Sequence, residues 1–378
     1  MAIPVNIVSG EEVYLIDSSG RKLLSFAESI NILGYSNREV KNAIESQVEK
    51  LIHYTNELSI FNECVALGKR YLKEANIEGG FIFTSSGSEA NEYSLAELGA
   101  RRKRKIVGVK GAYHGQLYLT GAITRGKQSR LVTIVSPDSR GIETIEKLLT
   151  TSSIPLVIII EPLMIHAGIR SLPRDFLLFL NKLSINKQAI IISDEVYLSP
   201  GKTGFFYSFQ AFGINPDLFT LGKSIGGGLP LGLIAFNNAN RIESPLGITT
   251  TSQGGNRVSC VAGLALLEEL HKKNVIENVR KNEEKITKLL RDELLGIKGV
   301  IETRGIGYIR GVQLDTSIFR RRWRTKIILE SIKNGLLISL MGKDDDVIRL
   351  APPLVATFED WQKAVLIIKK VIKDMLVS

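Results

Sequence analysis

Between residues 80 and 236 the chain alternates short apolar runs with amphipathic segments. The runs include "GFIFT", "KIVGV", "LVTIV", "PLVIII", "QAIIIS" and "DLFTL". Between the first two lies "SEANEYSLAELGARR", whose apolar residues recur at helical spacing. A strand with one wet face would alternate apolar and polar residues. Several of these runs are apolar throughout, which predicts strands covered on both faces. Repeated strand and helix alternation then predicts a mostly parallel sheet in a three-layer α/β domain. "LGLIAF" (231–236) reads as one more strand, and a helical stretch follows from about 255 to 293 with a break in the 270s.

The two ends carry a different pattern. "EEVYLIDSSGRKLLSF" (11–26) is two alternating runs about a Ser-Ser-Gly turn, which predicts a hairpin. Helical patterns follow over 37–52 and 57–75. Near the other end, "GVIETRGIGYIRGVQL" and "GLLISL…DDVIRLAPPL", with helices between and after, suggest a smaller α+β unit. The expected organisation is a large domain over 57–295 and a small domain built from 1–56 and 296–378. No repeat, low-complexity tract or flexible linker is visible.

Composition narrows the class. The chain has 378 residues, 44% hydrophobic and 7% aromatic, as expected of a globular protein with a large core. The net charge is +10, much of it in "RRKRK" (101–105) and "RRRWR" (320–324). Both clusters read as solvated faces ahead of patches for an acidic partner, and no nucleic-acid partner is expected. The two cysteines, Cys64 and Cys260, have no metal or disulfide-framework spacing and read as small buried hydrophobes. His53, His114, His166 and His271 are too scattered for a zinc site, so no metal is expected. The start "MAIPVNIVSGEE" lacks a charged-then-apolar leader, and no run approaches the roughly 18 apolar residues of a membrane span. A cytoplasmic protein is expected.

Three features fall at the ends of the expected parallel strands, where open α/β sheets build ligand sites. "TSSGSEANE" (84–92) puts Ser85, Ser86, Gly87 and Ser88 between a strand and a helix start. Free N–H groups and the helix dipole there favour a phosphate, although Ser and Gly are also ordinary helix-start residues. "IIISDEVY" ends a strand in Asp194 and Glu195, acids that could hold a metal, start a helix or pair with a cationic ring nitrogen. Lys223 lies in "TLGKSIGGGLPLG", among glycines that let something bulky approach the backbone. A cleft lysine loses its proton readily and can condense with a carbonyl. Phosphate cradle, strand-end acid and cleft lysine together meet the needs of pyridoxal 5'-phosphate.

The order and spacing of "FTSSGSEANE", "GAYHGQ", "IIIEPLMIHAG", "SDEVYLSPGKTGFF", "PDLFTLGKSIGGGLPLG", "TTTSQGGNRVSC", "RGIGYIRGVQL" and "VIRLAPPL" resemble the class III aminotransferases. These include enzymes acting on acetylornithine, ornithine and 4-aminobutyrate, on the type I pyridoxal-phosphate-dependent transferase fold. The resemblance covers nearly the whole chain. It implies Lys223 as the lysine that condenses with the cofactor and Asp194 as the partner of its ring nitrogen. Val196 would pack on one ring face and Tyr113 on the other, with His114 beside it. Ser86, Gly87 and Ser88 would form the phosphate loop. Ser252 would reach the phosphate of a neighbouring subunit, so a homodimer is implied. Glu161 would lie near the cofactor, either in direct contact or as a satisfied strand-end acid. Arg349 would grip the substrate α-carboxylate at two points. The implied reaction moves an amino group from an amino acid or ω-amine to a 2-oxo acid.

Three positions depart from the family's usual residues. Gln116 stands where an arginine commonly follows "HG", so a distal carboxylate would lose its partner unless another cation replaces it. His166 stands where a glutamate can gate the carboxylate-binding arginine. Tyr197 stands where a glutamine would face the cofactor's phenolic oxygen, and its hydroxyl could serve instead. These departures suggest a donor unlike N-acetylornithine, such as a less acidic ω-amine. Two alternatives remain open at this stage: another reaction on the same fold (racemisation, an amino shift or decarboxylation), and an inactive binding protein that uses its basic clusters.

Overall fold

The structure is a computed structural model and describes residues 5–28, 30–55, 61–237, 251–320 and 322–377. Residues 57–60 of the second expected helix, residues 249–250 of the "TTTSQ" landmark and Arg321 lie outside the described residues.

Among the described residues, seven strands form the central sheet. In spatial order they are Gly79–Thr84, Gly232–Asn237, Leu218–Leu221, Ala189–Asp194, Leu156–Ile160, Ile106–Val109 and Val132–Val135. The last five pair in parallel. Gly232–Asn237 runs antiparallel to both of its neighbours. The connection that precedes it, 222–231, is ten residues long. A parallel return needs a crossover of roughly a dozen residues or more, so the chain turns straight back.

The all-apolar runs have a direct structural reading. Successive side chains point to opposite faces of a strand, and here each face meets its own core. Leu156, Ile158, Ile160, Ala189, Ile191, Phe219 and Leu221 belong to one cluster of buried side chains. Val157, Ile159, Ile190, Ile192 and Leu218 belong to another. The first face is covered by helices that include Asn62–Glu74, Arg174–Ile185 and Arg257–Lys272. The second is covered by Gly87–Leu95 and Tyr118–Thr124. Each fully buried Ile or Leu stabilises the fold by about 1.5–3 kcal/mol relative to exposure, so a polar residue on either face would be felt. The expected three-layer α/β architecture is what forms.

The ends of the chain meet in a second sheet. The strands Ile7–Glu11, Tyr14–Asp17 and Lys22–Ser25 are antiparallel neighbours, and Leu336–Leu337 joins the last of them in parallel. A further antiparallel sheet contains Val300–Ile306, Ile309–Leu314, Val347–Leu350 and Ser339–Met341. The break expected in the 270s separates Arg257–Lys272 from Val275–Leu294, with Asn274 in the left-handed region at φ 50° between them. Trp361 of the final helix, Phe358–Val377, packs edge-on to Phe26 with ring centroids 4.9 Å apart. That contact ties the C-terminal helix to the N-terminal sheet, and Ala27 beside Phe26 lies against the strand that carries Arg349.

Candidate active site

The residues expected at strand ends converge. Tyr113, His114, Glu161, Asp194, Val196, Tyr197 and Lys223 line one pocket with Ser88 and His166. Each follows a parallel strand at its C-terminal end except Ser88, which opens the helix after Gly79–Thr84. The cavity among them is small, ≈ 30 Å³.

Two adjacent acids do opposite work because they alternate across the strand. Glu195 points into the fold. Its carboxylate accepts from the hydroxyls of Ser193 (2.8 Å), Ser199 (2.5 Å) and Ser208 (2.7 Å) and from the N–H groups of Ser208 and Phe209. It therefore caps the short Ser208–Phe212 helix, and burial pushes its carboxyl above the usual range. Asp194 faces the pocket. Its Oδ2 accepts from Asn91 Nδ2 and from His114 Nδ1, both at 2.7 Å, and Oδ1 accepts the Val196 N–H at 3.1 Å.

Sequence reasoning missed Asn91. It donates to the His114 carbonyl at 3.0 Å and accepts from Thr220 Oγ1 at 2.5 Å, so it joins two neighbouring segments to Asp194. It lies one helical turn after Gly87, on the same face, and that spacing was the available signal. Asn91→Ala leaves a buried hydroxyl, a carbonyl and a carboxylate short of partners. A loss of about 2 kcal/mol or more is expected, read as a lower midpoint in thermal or urea unfolding, with a Leu178→Ala control at an exposed site unchanged.

The phosphate loop and the lysine loop are pressed together. Ser86 caps the Gly87–Leu95 helix by accepting the Glu89 N–H at 3.2 Å, and the Glu89 carboxylate returns to the Ser85 N–H at 2.6 Å. A Cβ on Gly87 would stand 2.5 Å from both methyls of Val196, and a Cβ on Gly222 would stand 2.8 Å from the Gly87 backbone. Only glycine fits at either position. Lys223 itself sits in the left-handed region at φ 49°, a conformation uncommon for a side chain of this size. Its Nζ lies 5.2 Å from the centre of the Tyr197 ring. Burial lowers its amine below the ordinary value of 10.5, while Asp194 and Glu161 oppose the shift and Arg349 adds to it.

Glu161 is fully buried and its carboxyl is held well above 4.5 by burial and by Asp194. It accepts the Tyr113 N–H at 2.8 Å and so fixes the residue expected to stack on the cofactor. The Tyr113 ring is stacked on His166 with centroids 4.1 Å apart. His166 is pushed down to about 4 by desolvation and by the neighbouring cations Arg349 and Lys223. It is neutral at pH 7 and forms no acid gate for Arg349. Arg349 is buried, and it donates to Ser339 Oγ at 2.9 Å and to the Ala27 carbonyl. No carboxylate among the described residues pairs with it.

Ser86, Gly87 and Arg349 are not among the residues that line the pocket, and two further expected residues lie away from it. Gln116 is exposed and does not line the pocket. Ser252 is also exposed, with its carbonyl accepting from His53 at 2.7 Å, while Thr251 beside it approaches Ser85 Oγ at 3.4 Å. The basic clusters are partly engaged by surface contacts within the chain: Arg101 pairs with Glu97 at 2.7 Å, and Arg324 donates to the Asp344 carbonyl and stacks on Trp323.

The residues present fit pyridoxal phosphate. Asp194 Oδ1 carries a single bond and has room for a ring N–H. His114 Nε2 is buried without a partner among the described residues, and the Lys223 amine is desolvated. The N–H groups of Gly87 and Ser88 open the helix and so have no intrahelical acceptor, which suits an anion there.

Comparison with known proteins gives one consistent result. The family profile "Aminotransferase class-III" matches residues 1–372. An acetylornithine aminotransferase of Caldanaerobacter subterraneus is 29% identical over 98% of this chain and 95% of its own length. Another from Streptomyces coelicolor is 32% identical over 92% of this chain and 86% of its own. Among solved structures, a phospholyase from Arthrobacter in complex with phosphoethanolamine superposes with a TM-score of 0.87 at 23% identity, covering 98% of this chain and 94% of that one. The ornithine aminotransferase of Plasmodium yoelii superposes at 0.85 and 22% identity, covering 99% and 95%. These two share the fold.

Proposed function

Because this chain belongs to the class-III aminotransferases, we propose that it transfers its amino group on pyridoxal 5'-phosphate bound at Lys223. Amino transfer from an amino donor to a 2-oxo acid follows from membership in the family. The cofactor assignment rests on one observation above all. A buried carboxylate, Asp194, and a desolvated amine, Lys223, face one pocket from the ends of two paired strands. Bound there, the cofactor would supply an electron-poor ring that stabilises negative charge on the carbon bearing the substrate amine.

The chain's own groups then have distinct tasks. Lys223 would hold the cofactor through its amine, and its free Nζ would take the proton from the donor carbon. Asp194 keeps the ring nitrogen protonated. Glu161 holds Tyr113 in place by its backbone, and Val196 faces the opposite side. Tyr197 offers its ring and hydroxyl where a glutamine is usual, and Arg349 grips the α-carboxylate. The enzyme works as a cytoplasmic homodimer in which exposed Ser252 reaches the neighbouring phosphate loop. Its large domain spans 57–295, and residues 1–56 with 296–378 form the small one.

The donor is a less acidic ω-amine rather than N-acetylornithine. An uncharged Gln116 that points to solvent, and a neutral His166 beside Arg349, support that reading. It is tested by adding amines and amino acids one at a time without acceptor and following loss of the aldehyde chromophore. Ω-amines lacking a distal carboxylate should react fastest. A clear preference for N-acetylornithine or 4-aminobutyrate overturns the donor assignment, and turnover without chromophore loss points instead to isomerisation or decarboxylation.

A further inference from the structure

Lys202 is fully buried, and its Nζ has no hydrogen-bond partner among the described residues. Lysines are almost never buried this way unless paired, because a desolvated ammonium without a counter-charge is strongly disfavoured. The backbone around it is fixed. The Lys202 N–H donates to the Leu198 carbonyl at 3.2 Å, and its own carbonyl accepts the Tyr308 N–H at 2.8 Å. The side chain runs toward Tyr197.

Three cationic groups gather about that ring. Lys202 Nζ lies 5.7 Å from its centre, Lys223 Nζ 5.2 Å and Arg349 Cζ 5.3 Å. The neighbouring acids do not balance them. Asp194 opposes the charge on Lys223, but Glu161 is driven toward its neutral form. Half-buried Glu28 opposes the charge on Lys202 while accepting from the Ile30 N–H and from Asn31 at 3.2 Å, so two acids face three cationic side chains. The charge left over calls for an anion from outside the chain.

Resting on the transaminase reading above, we propose that Lys202 is the second cation of the substrate pocket. With Arg349 it binds a doubly anionic acceptor, a dicarboxylic 2-oxo acid, while the ω-amine donor makes no use of it. Arg349 takes the α-carboxylate and Lys202 the distal one, the task that Gln116 cannot perform. Burial pushes the Lys202 amine down to about 7, with Lys223 and Arg349 adding to the shift and Glu28 opposing it. An arriving carboxylate reverses that balance, so the amine takes up a proton as the substrate binds.

The test compares wild type with Lys202→Met and Lys202→Arg as loaded enzymes. The ratio of kcat/KM for 2-oxoglutarate over pyruvate is measured, and glutarate and butyrate binding are measured by calorimetry. K202M should lower the 2-oxoglutarate-to-pyruvate ratio by about tenfold or more and weaken glutarate relative to butyrate by a similar factor. K202R should restore most of both. If K202M fails to fold, Lys202→Gln replaces it, with the same expectation. An unchanged ratio, or equal losses with both acceptors and both probes, overturns the proposal. Should no donor react with wild type, the transaminase reading fails instead, and the glutarate titration still decides the role of Lys202.

Discussion

Lys223→Ala is expected to abolish amino transfer, with a fall in kcat/KM of about 10³-fold or more. The substitution removes two functions at once: the amine that holds the cofactor and the base that moves the proton. The local structure gives no substitute. Lys223 is held in the left-handed region by the turn Lys223–Gly226, and Gly222 before it lies against Gly87 so closely that no side chain fits between them. Lys202, the other buried lysine near Tyr197, is fixed on a different turn. Borohydride reduction followed by digestion should place the cofactor on the peptide containing Lys223 in wild type and nowhere in the variant. Label on any other lysine of the wild type would sink the assignment. Lys223→Arg keeps the charge, but a guanidinium does not give up its proton, so it should be as inactive as alanine.

The same substitution has a second readout in the cofactor-free protein. The folded-state pKa of Lys223 lies below its unfolded value of 10.5. The unfolded chain therefore binds the extra proton, and this group's contribution to stability rises with pH up to about 10.5. K223A should lose that part of the slope in unfolding experiments run at increasing pH. An unchanged slope would mean that the amine is solvated before the cofactor arrives.

The sheet was legible in the sequence for a simple reason. Residues 156–160 are apolar at every position because each face of that strand meets its own core, so periodicity alone reports the layers. Asp194 and Lys223 were legible because strand ends are where side chains reach a ligand. What the sequence concealed depends on distant neighbours. The pattern "SDEVY" cannot say which acid turns inward; Ser193, Ser199 and Ser208 decide that Glu195 does. Lys202 sits in "SPGKTG", where nothing local shows that its carbonyl meets Tyr308 and its amine approaches Tyr197. Asn91 is one polar residue on a helix, and only its contacts with Thr220 and Asp194 reveal its place in the site. Gln116 was expected near substrate from its position after "HG", but the chain turns there and leaves it exposed.

Asp194→Asn isolates the charge at the other side of the pocket. Asparagine keeps the size and one carbonyl oxygen, so Val196 and either Asn91 or His114 can still be satisfied. It cannot keep a ring nitrogen protonated. Breaking a buried charge pair by removing one partner costs about 2–5 kcal/mol, equivalent to a loss of roughly 30-fold to several thousandfold in the rate of the donor half-reaction. The loss should fall on kcat, because the stabilisation is needed as charge leaves the donor carbon and not when the donor binds. Asp194→Ala should lose a similar amount of rate and also unfold more easily, since it strands the Asn91 amide and the His114 ring. The two variants therefore separate the roles. If D194N keeps donor turnover within about tenfold of wild type while D194A does not, Asp194 only positions its neighbours. If both lose turnover and only D194A loses stability, the carboxylate's negative charge is what the chemistry uses.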